Sequence, residues 1–189
     1  MAVTCVGSAA DLISRHFLHI IALPDQRTNV MTNSMTDTTW KLADLHHLGI
    51  TVSDIERSIS FYRNVLRMEL IRRRPSVATD YVAQQTGYGG LEVSVASFRV
   101  SPTSRQTLEV VQYLNRAGEP SDQATNRPGN THLCLLVDDL RTCYAELKEK
   151  GVRFKSEPIT ITSGPNEGGL VVYFFDPDGY TLELFQPPA

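Results

Sequence analysis

Two histidines and two glutamates in this chain sit at corresponding places in a motif that occurs twice. His47-Leu48-Gly49-Ile50-Thr51-Val52-Ser53-Asp54 returns as His132-Leu133-Cys134-Leu135-Leu136-Val137-Asp138-Asp139, with His, Leu, Val and Asp at matching offsets. Thr107-Leu108-Glu109-Val110-Val111-Gln112 returns as Thr181-Leu182-Glu183-Leu184-Phe185-Gln186. A lone histidine on a strand is usually a satisfied, half-buried residue, and a lone glutamate near a strand end is usually solvated. Repetition changes that reading, because packing never requires Glu at the centre of a sheet. His47, Glu109, His132 and Glu183 therefore read as ligands of one divalent metal ion per chain, with Zn, Ni, Co, Mn and Fe all admitted by the donors. Such a mixed nitrogen and oxygen set leaves room for water or substrate oxygens.

For these four to meet, each repeat must carry its His on a first strand and its Glu on a last strand, both on one face. Leu48, Ile50 and Val52 alternate with His47, Gly49 and Thr51, which predicts a strand over about 45–52. Pleat alternation turns His46, the competitor of His47, to the helix side, and the repeat aligns it with Thr131. Ser53-x-x-Glu56 spells a capping box, and Ile55, Ile59, Tyr62 and Leu66 form one helical stripe. An extended segment over 69–73 and strands over 81–85, 91–100 and 107–113 complete the unit. The second copy has a strand over 131–137, then a helix from Asp138/Asp139 with the stripe Leu140, Tyr144 and Leu147 and a stop at Gly151. Strands follow near 153–157, 159–162, 170–175 and 180–186, and Asp176-Pro177-Asp178-Gly179 turns the last pair. An internal repeat of this kind governs the fold. The fold class is α+β: two tandem βαβββ modules, 44–115 and 131–187, joined by a linker at 116–130. Together they form one domain, a cupped mixed sheet around the metal site.

Residues 1–40 have no counterpart in the repeat and read as a disordered or loosely packed leader, with Met31 and Met35 as alternative starts. His16 and His19 stand three apart within it, where a frayed leader explains them better than a metal. The apolar run Phe17 to Leu23 falls far short of the ~20 residues a membrane span needs. A net charge of −3 and a pI near 5.9 recommend neither nucleic acid nor a membrane surface as partner. Cys5, Cys134 and Cys143 are odd in number and lack zinc-site spacing, which fits a reduced, cytoplasmic setting. Cys134 and Cys143 lie at apolar positions and read as core filler.

With His47 to Asp54 followed by Ser58-Ile-Ser-Phe-Tyr-Arg-Asn-Val-Leu66, and Thr131 to Asp139 by Asp176-Pro-Asp-Gly-Tyr-Thr-Leu-Glu-Leu184, the chain resembles the vicinal oxygen chelate superfamily. That superfamily includes glyoxalase I, methylmalonyl-CoA epimerase, extradiol dioxygenases and bleomycin-resistance proteins. The resemblance covers roughly 44–187 and implies paired βαβββ modules, a metal on His47, Glu109, His132 and Glu183, and a homodimer. Arg67 departs from it, standing where the family usually places Gly after the helix.

The superfamily's common device is a metal that chelates adjacent substrate oxygens and stabilises an enolate or similar anion. The reading that follows is a metal-dependent proton-transfer enzyme acting alpha to a carbonyl of a small molecule, as an epimerase, isomerase or glyoxalase I-type lyase. An extradiol dioxygenase needs more open positions than four protein ligands leave, and a metal-free binding protein of the bleomycin-resistance kind generally lacks the set. Asp80-Tyr-Val-Ala-Gln-Gln-Thr-Gly-Tyr88 lacks glyoxalase I's usual Lys-Tyr-Ser and leans toward the epimerase-like branch. Resemblance and the tight turn before its strand rank Glu183 as principal base, with Glu109 its partner on the other substrate face. Tyr81, Gln84, Arg99, Tyr173 and Phe175 are candidates to line the pocket.

Overall fold

Hydrophobic alternation and turn chemistry build one unit twice. The computed structural model describes residues 39–189, of which Asp44–Ala189 form a single compact unit. The first repeat runs β1 (His47–Thr51), α1 (Ile55–Ser60), a π-helical turn (Phe61–Val65), β2 (Glu69–Val77), α2 (Asp80–Thr86), β3 (Val93–Arg99) and β4 (Thr107–Tyr113). The second runs β5 (Leu133–Leu136), α3 (Leu140–Glu149), β6 (Ile159–Thr160), β7 (Leu170–Phe175) and β8 (Thr181–Gln186). Each repeat makes a four-stranded mixed sheet, ordered β1-β4-β3-β2 and β5-β8-β7-β6. First and last strands pair in parallel, which brings the two halves of each motif side by side: Gly49 lies opposite Glu109, and Cys134 opposite Glu183. Residues 114–132 form no regular helix or strand.

Alternate strand residues enter one shared core. Ile50, Phe98, Leu108 and Val110 of the first sheet are buried in the same cluster as Leu135, Phe174, Leu182 and Leu184 of the second. Ile55, Tyr62, Leu140 and Leu147 join them from the helical segments. Burying each such large side chain is worth ~1.5–3 kcal/mol, so the apolar helix-side faces are driven together. The consequence for function is that the opposite faces of both sheets turn outward.

The turn Asp176-Pro177-Asp178-Gly179 closes on the Gly179 N–H to Asp176 oxygen bond at 3.1 Å, with Gly179 at φ 85°. It also ties the repeats together. Tyr62 donates its hydroxyl to the buried Asp176 carboxylate at 3.0 Å, and Arg57 pairs with Asp178 at 2.6 Å. Burial pushes the Asp176 carboxyl above the usual carboxylate range, against the hydrogen bonds it accepts. Burial and the Asp176 charge likewise push the Tyr62 phenol well above its ordinary value.

Several local expectations are corrected. Asp54, not Ser53, caps α1, accepting from the Glu56 and Arg57 N–H groups; Ser53 instead donates to Asp178. Gln112 and Gln186, at equivalent repeat positions, accept from the first helical N–H groups, Ile55 at 3.2 Å and Leu140 at 2.8 Å. They satisfy donors that a helix start leaves orphaned. The helical stripe ends in the π turn, where Leu66 donates to Phe61 at 3.0 Å. The expected strand over 81–85 is α2, because only Val82 of the segment packs inward and Gly87, at φ 77°, stops a two-turn helix in the left-handed region. Near 153–157 only Phe154 bridges, to Phe174, and Pro158, with no N–H to give, follows. The leader with His16, His19, Met31, Met35 and Cys5 lies outside the described residues. Among those described, no helix is long and apolar enough to cross a membrane.

Candidate metal centre

Glu109 projects from the outward face of β4 because its neighbours Leu108 and Val110 are wholly buried on the other side. His47 opens β1 beside it, with Nε2 3.8 Å from Glu109 Oε2. Ser97, opposite on β3, donates its hydroxyl to Glu109 Oε1 at 3.0 Å. Opposite on β1 stands Gly49, where an added Cβ meets nothing within 4 Å. This half-site is open toward its own edge strand. Farther along the same face α2 forms a partial roof, with Val82 packed among Val77, Leu91, Val93 and Val95.

Glu183 projects from β8 between the buried Leu182 and Leu184 in the same way. His132 immediately precedes β5, and its Nε2 approaches Glu183 Oε2 to 2.8 Å. Here the surroundings are crowded. Tyr173 lies opposite Glu183 on β7 and meets the His132 ring edge-on, with centroids 5.2 Å apart. Cys134 lies opposite on β5, beside the Glu183 carboxylate. Partial burial of the sulfur, then the negative charge of Glu183, push the Cys134 thiol up to about 11, so it stays protonated at neutral pH. Burial and the same carboxylate raise the Tyr173 phenol.

The four sequence-predicted ligands thus stand as two half-sites. They do not meet around one point within the chain, and among the described residues no group of three or more His, Cys, Asp or Glu is placed to hold a metal. The physical reason is the shared core: with the helix-side faces packed together, the two ligand-bearing faces are turned away from each other. The donors themselves fit a divalent ion, since each half-site offers one imidazole nitrogen and one carboxylate oxygen on the same face.

Other site expectations change as well. His46 precedes β1, and its ring lies against that of His47, Nδ1 to Nδ1 2.7 Å, instead of turning to the helices. Cys134 is exposed on the ligand face and fills no core, while Cys143 packs partly buried against it. Of the candidate pocket residues, Tyr173 stands beside Glu183, Tyr81 and Gln84 lie on α2, Arg99 is paired with Glu69 at 2.8 Å, and Phe175 carries the Arg153 guanidinium over its ring. Ser97, Arg72 and Arg74 were missed. An Arg-Arg-Arg run on a strand must split between faces, and that was the available signal.

Comparison with known proteins agrees with this fold. A family model described as Glyoxalase/Bleomycin resistance protein/Dioxygenase superfamily matches residues 44–184. The chain is 30% identical over 153 residues to a 2-epi-5-epi-valiolone epimerase of Actinomyces sp, covering 77% of this chain and 80% of that protein. It is 30% identical over 144 residues to the lactoylglutathione lyase of Salmonella typhimurium, covering 75% and 91%. A glyoxalase family protein from Bacillus cereus superposes with a TM-score of 0.69 at 19% identity, covering 80% of this chain and 98% of that one, a likeness of fold.

Proposed function

The chain belongs to the Glyoxalase/Bleomycin resistance protein/Dioxygenase superfamily, and from that premise we propose that it is a metal-dependent enzyme that moves a proton next to a substrate carbonyl, as an epimerase, an isomerase or a lyase of glyoxalase I type. The observation that carries this reading is the pair of matched His–Glu half-sites on outward sheet faces. Two copies of the chain complete each other: His47 and Glu109 of one protomer face His132 and Glu183 of its partner, giving two full sets per symmetric dimer.

A divalent ion in such a set would stabilise the negative charge that develops beside the carbonyl as the proton leaves. The chain's own residues do the rest. Glu183 takes the proton as base, held on one side by His132 and flanked on β5 by the protonated Cys134. Glu109, steadied by Ser97, serves the opposite face of the substrate, where an epimerase must return the proton. The outward faces, closed against each other, exclude water from both.

Complementation between protomers tests this. His47→Ala and His132→Ala proteins should each lose most of their metal and their catalysis of deuterium exchange into carbonyl substrates. When the two are mixed and allowed to exchange subunits, half of the dimers are heterodimers with one intact set. Metal content and exchange should then recover to about a quarter of wild type. No recovery on mixing would mean that the sets do not form between protomers, and wild-type protein devoid of metal when purified without chelators would remove the metal altogether.

A further inference from the structure

The four arginines of the first sheet divide in two. Arg73 lies opposite Ala96, on the helix side, where it donates to Ser94 and pairs with Glu56 at 2.8 Å. Arg99 faces outward opposite Thr107 and is neutralised by Glu69 at 2.8 Å. Arg72 and Arg74 also face outward, opposite Ser97 and Val95, and neither is in an ion pair among the described residues. The register extends each row across the sheet: Arg72, Ser97, Glu109, Gly49 in one, and Arg74, Val95, Val111, Thr51 in the next. Arg72 is therefore two strand spacings, ~10 Å between Cα atoms, from Glu109 on the same face.

From this arrangement we infer that Arg72 and Arg74 form an anion-binding subsite of the candidate catalytic face, and that the substrate carries a phosphate or carboxylate group remote from its reacting carbon. Arg74 is half-buried, and its Nε is buried without a hydrogen-bond partner, while one Nη sits 3.5 Å from the Tyr81 hydroxyl on α2. A buried guanidinium N–H without an acceptor is costly unless an acceptor arrives. Arginine's planar fork suits an oxyanion better than any other common ligand group. Net charge supports the point: the chain is acidic at −3, so two uncompensated cations on one face are not part of a general basic surface. Charge on the edge strand β2 also discourages sheet-to-sheet pairing, but Arg73 on the same strand, already neutralised by Glu56, shows that the edge does not require free cations. The partner face offers no substitute acid: the outward residues of β5 to β8 include one carboxylate, Glu183, which belongs to the proposed metal set.

The inference rests on the proton-transfer reading of the same face, but its test reads binding alone. Titration calorimetry of the full-length protein would use phenyl phosphate, benzoate and benzyl alcohol, which share a ring and differ in charge. Phenyl phosphate should bind at least ~10-fold more tightly than benzyl alcohol, and the preference should vanish in an R72A/R74A protein that keeps the wild-type circular dichroism spectrum. R72K/R74K should restore much of it, which a purely structural loss would not. Benzoate matching phenyl phosphate would assign the subsite to a carboxylate, and benzoate trailing it to a phosphate ester. Benzyl alcohol binding as tightly as both anions, or an anion preference unchanged in R72A/R74A, would overturn the inference while leaving the metal-dependent reading intact. If the complementation experiment fails and the anion preference remains, the assembly of the metal sets between protomers is misread and the subsite stands.

Discussion

Glu109 and Glu183 occupy the same place in two copies of one motif, yet they are held differently. Glu109 has Ser97 as hydrogen-bond donor, a histidine at 3.8 Å and an empty glycine position beside it. Glu183 has a histidine at 2.8 Å, a protonated thiol and a tyrosine ring as neighbours. The first half-site is polar and open, with free cations farther along its face; the second is apolar and tight. Duplication supplied two equal carboxylates, and the residues opposite them on neighbouring strands made them unequal. In a two-carboxylate site, unequal surroundings are what separates the group that takes a proton from the one that assists.

The largest expected effect follows from that inequality. Glu183→Gln keeps an oxygen for the metal but cannot accept a proton, so deuterium exchange should fall by ~100-fold or more while metal content survives. Glu109→Gln should lose less exchange in a lyase-type reaction and as much in an epimerase. Exchange in Glu183→Gln equal to wild type would end the ranking of the two glutamates.

Next in size is the link that keeps the two half-sites back to back. Tyr62→Phe removes the hydroxyl that donates to buried Asp176 and should cost ~1–3 kcal/mol in urea unfolding. The pH dependence has a definite sign. Asp176 has a folded pKa above its unfolded value, so folding favours its protonated form. Its contribution is fully present below the ordinary carboxylate pKa and declines as pH rises through the raised folded value. Asp176→Asn should flatten that part of the stability profile, as measured by urea midpoints from pH 4 upward; an unchanged slope would place the titration elsewhere.

The smaller difference between the half-sites is Gly49 against Cys134. Cys134→Gly gives the second half-site the open edge of the first and removes the thiol beside Glu183. Exchange should fall by no more than a few-fold, about 1 kcal/mol at most for a neutral neighbour, with metal content unchanged. A loss as large as that of Glu183→Gln would show that the thiol itself takes part in the reaction.

Much of this molecule was legible because it is written twice. The first and last strands, α3 and the shared face of each His–Glu pair all lie in the repeated stretches, where strand alternation and the second copy check each other. What was not legible lies where the copies diverge or where partners are remote. Residues 81–85 belong to an insertion unique to the first repeat, and so short a segment fits strand and helix alike. The cap on α1 was assigned to Ser53 because the sequence cannot show that Asp178 would claim that hydroxyl. Cys134 looked apolar because its neighbours are, although strand parity with His132 places it on the ligand face. Above all, alternation fixes which residues share a face but not which faces meet. The repeat leaves open whether the half-sites converge within one chain or across a dimer, and it is the common core of Tyr62, Leu140 and Phe174 that turns them apart within the chain.

Arg67 marks the smallest difference between the repeats, at the exit of their helices. The second helix leaves through Gly151, at φ 80°, which glycine adopts without strain. The first leaves through Arg67 at φ 60°, the one non-glycine residue with positive φ among those described. A side chain there costs ~1 kcal/mol against glycine. What Arg67 gains is a bond from its guanidinium to Glu146 on α3 at 2.8 Å, joining the two repeats. Both side chains are largely exposed, and such a pair returns ~0.2–1 kcal/mol. Gain and cost are of the same size, so Arg67→Gly should leave stability within ~1 kcal/mol of wild type. Arg67→Ala keeps the backbone strain and loses the ion pair, so it should be the least stable of the three. Urea midpoints with Arg67→Ala at or above Arg67→Gly would mean that the backbone relaxes at this exit, and that the left-handed turn is not what a glycine would be needed for.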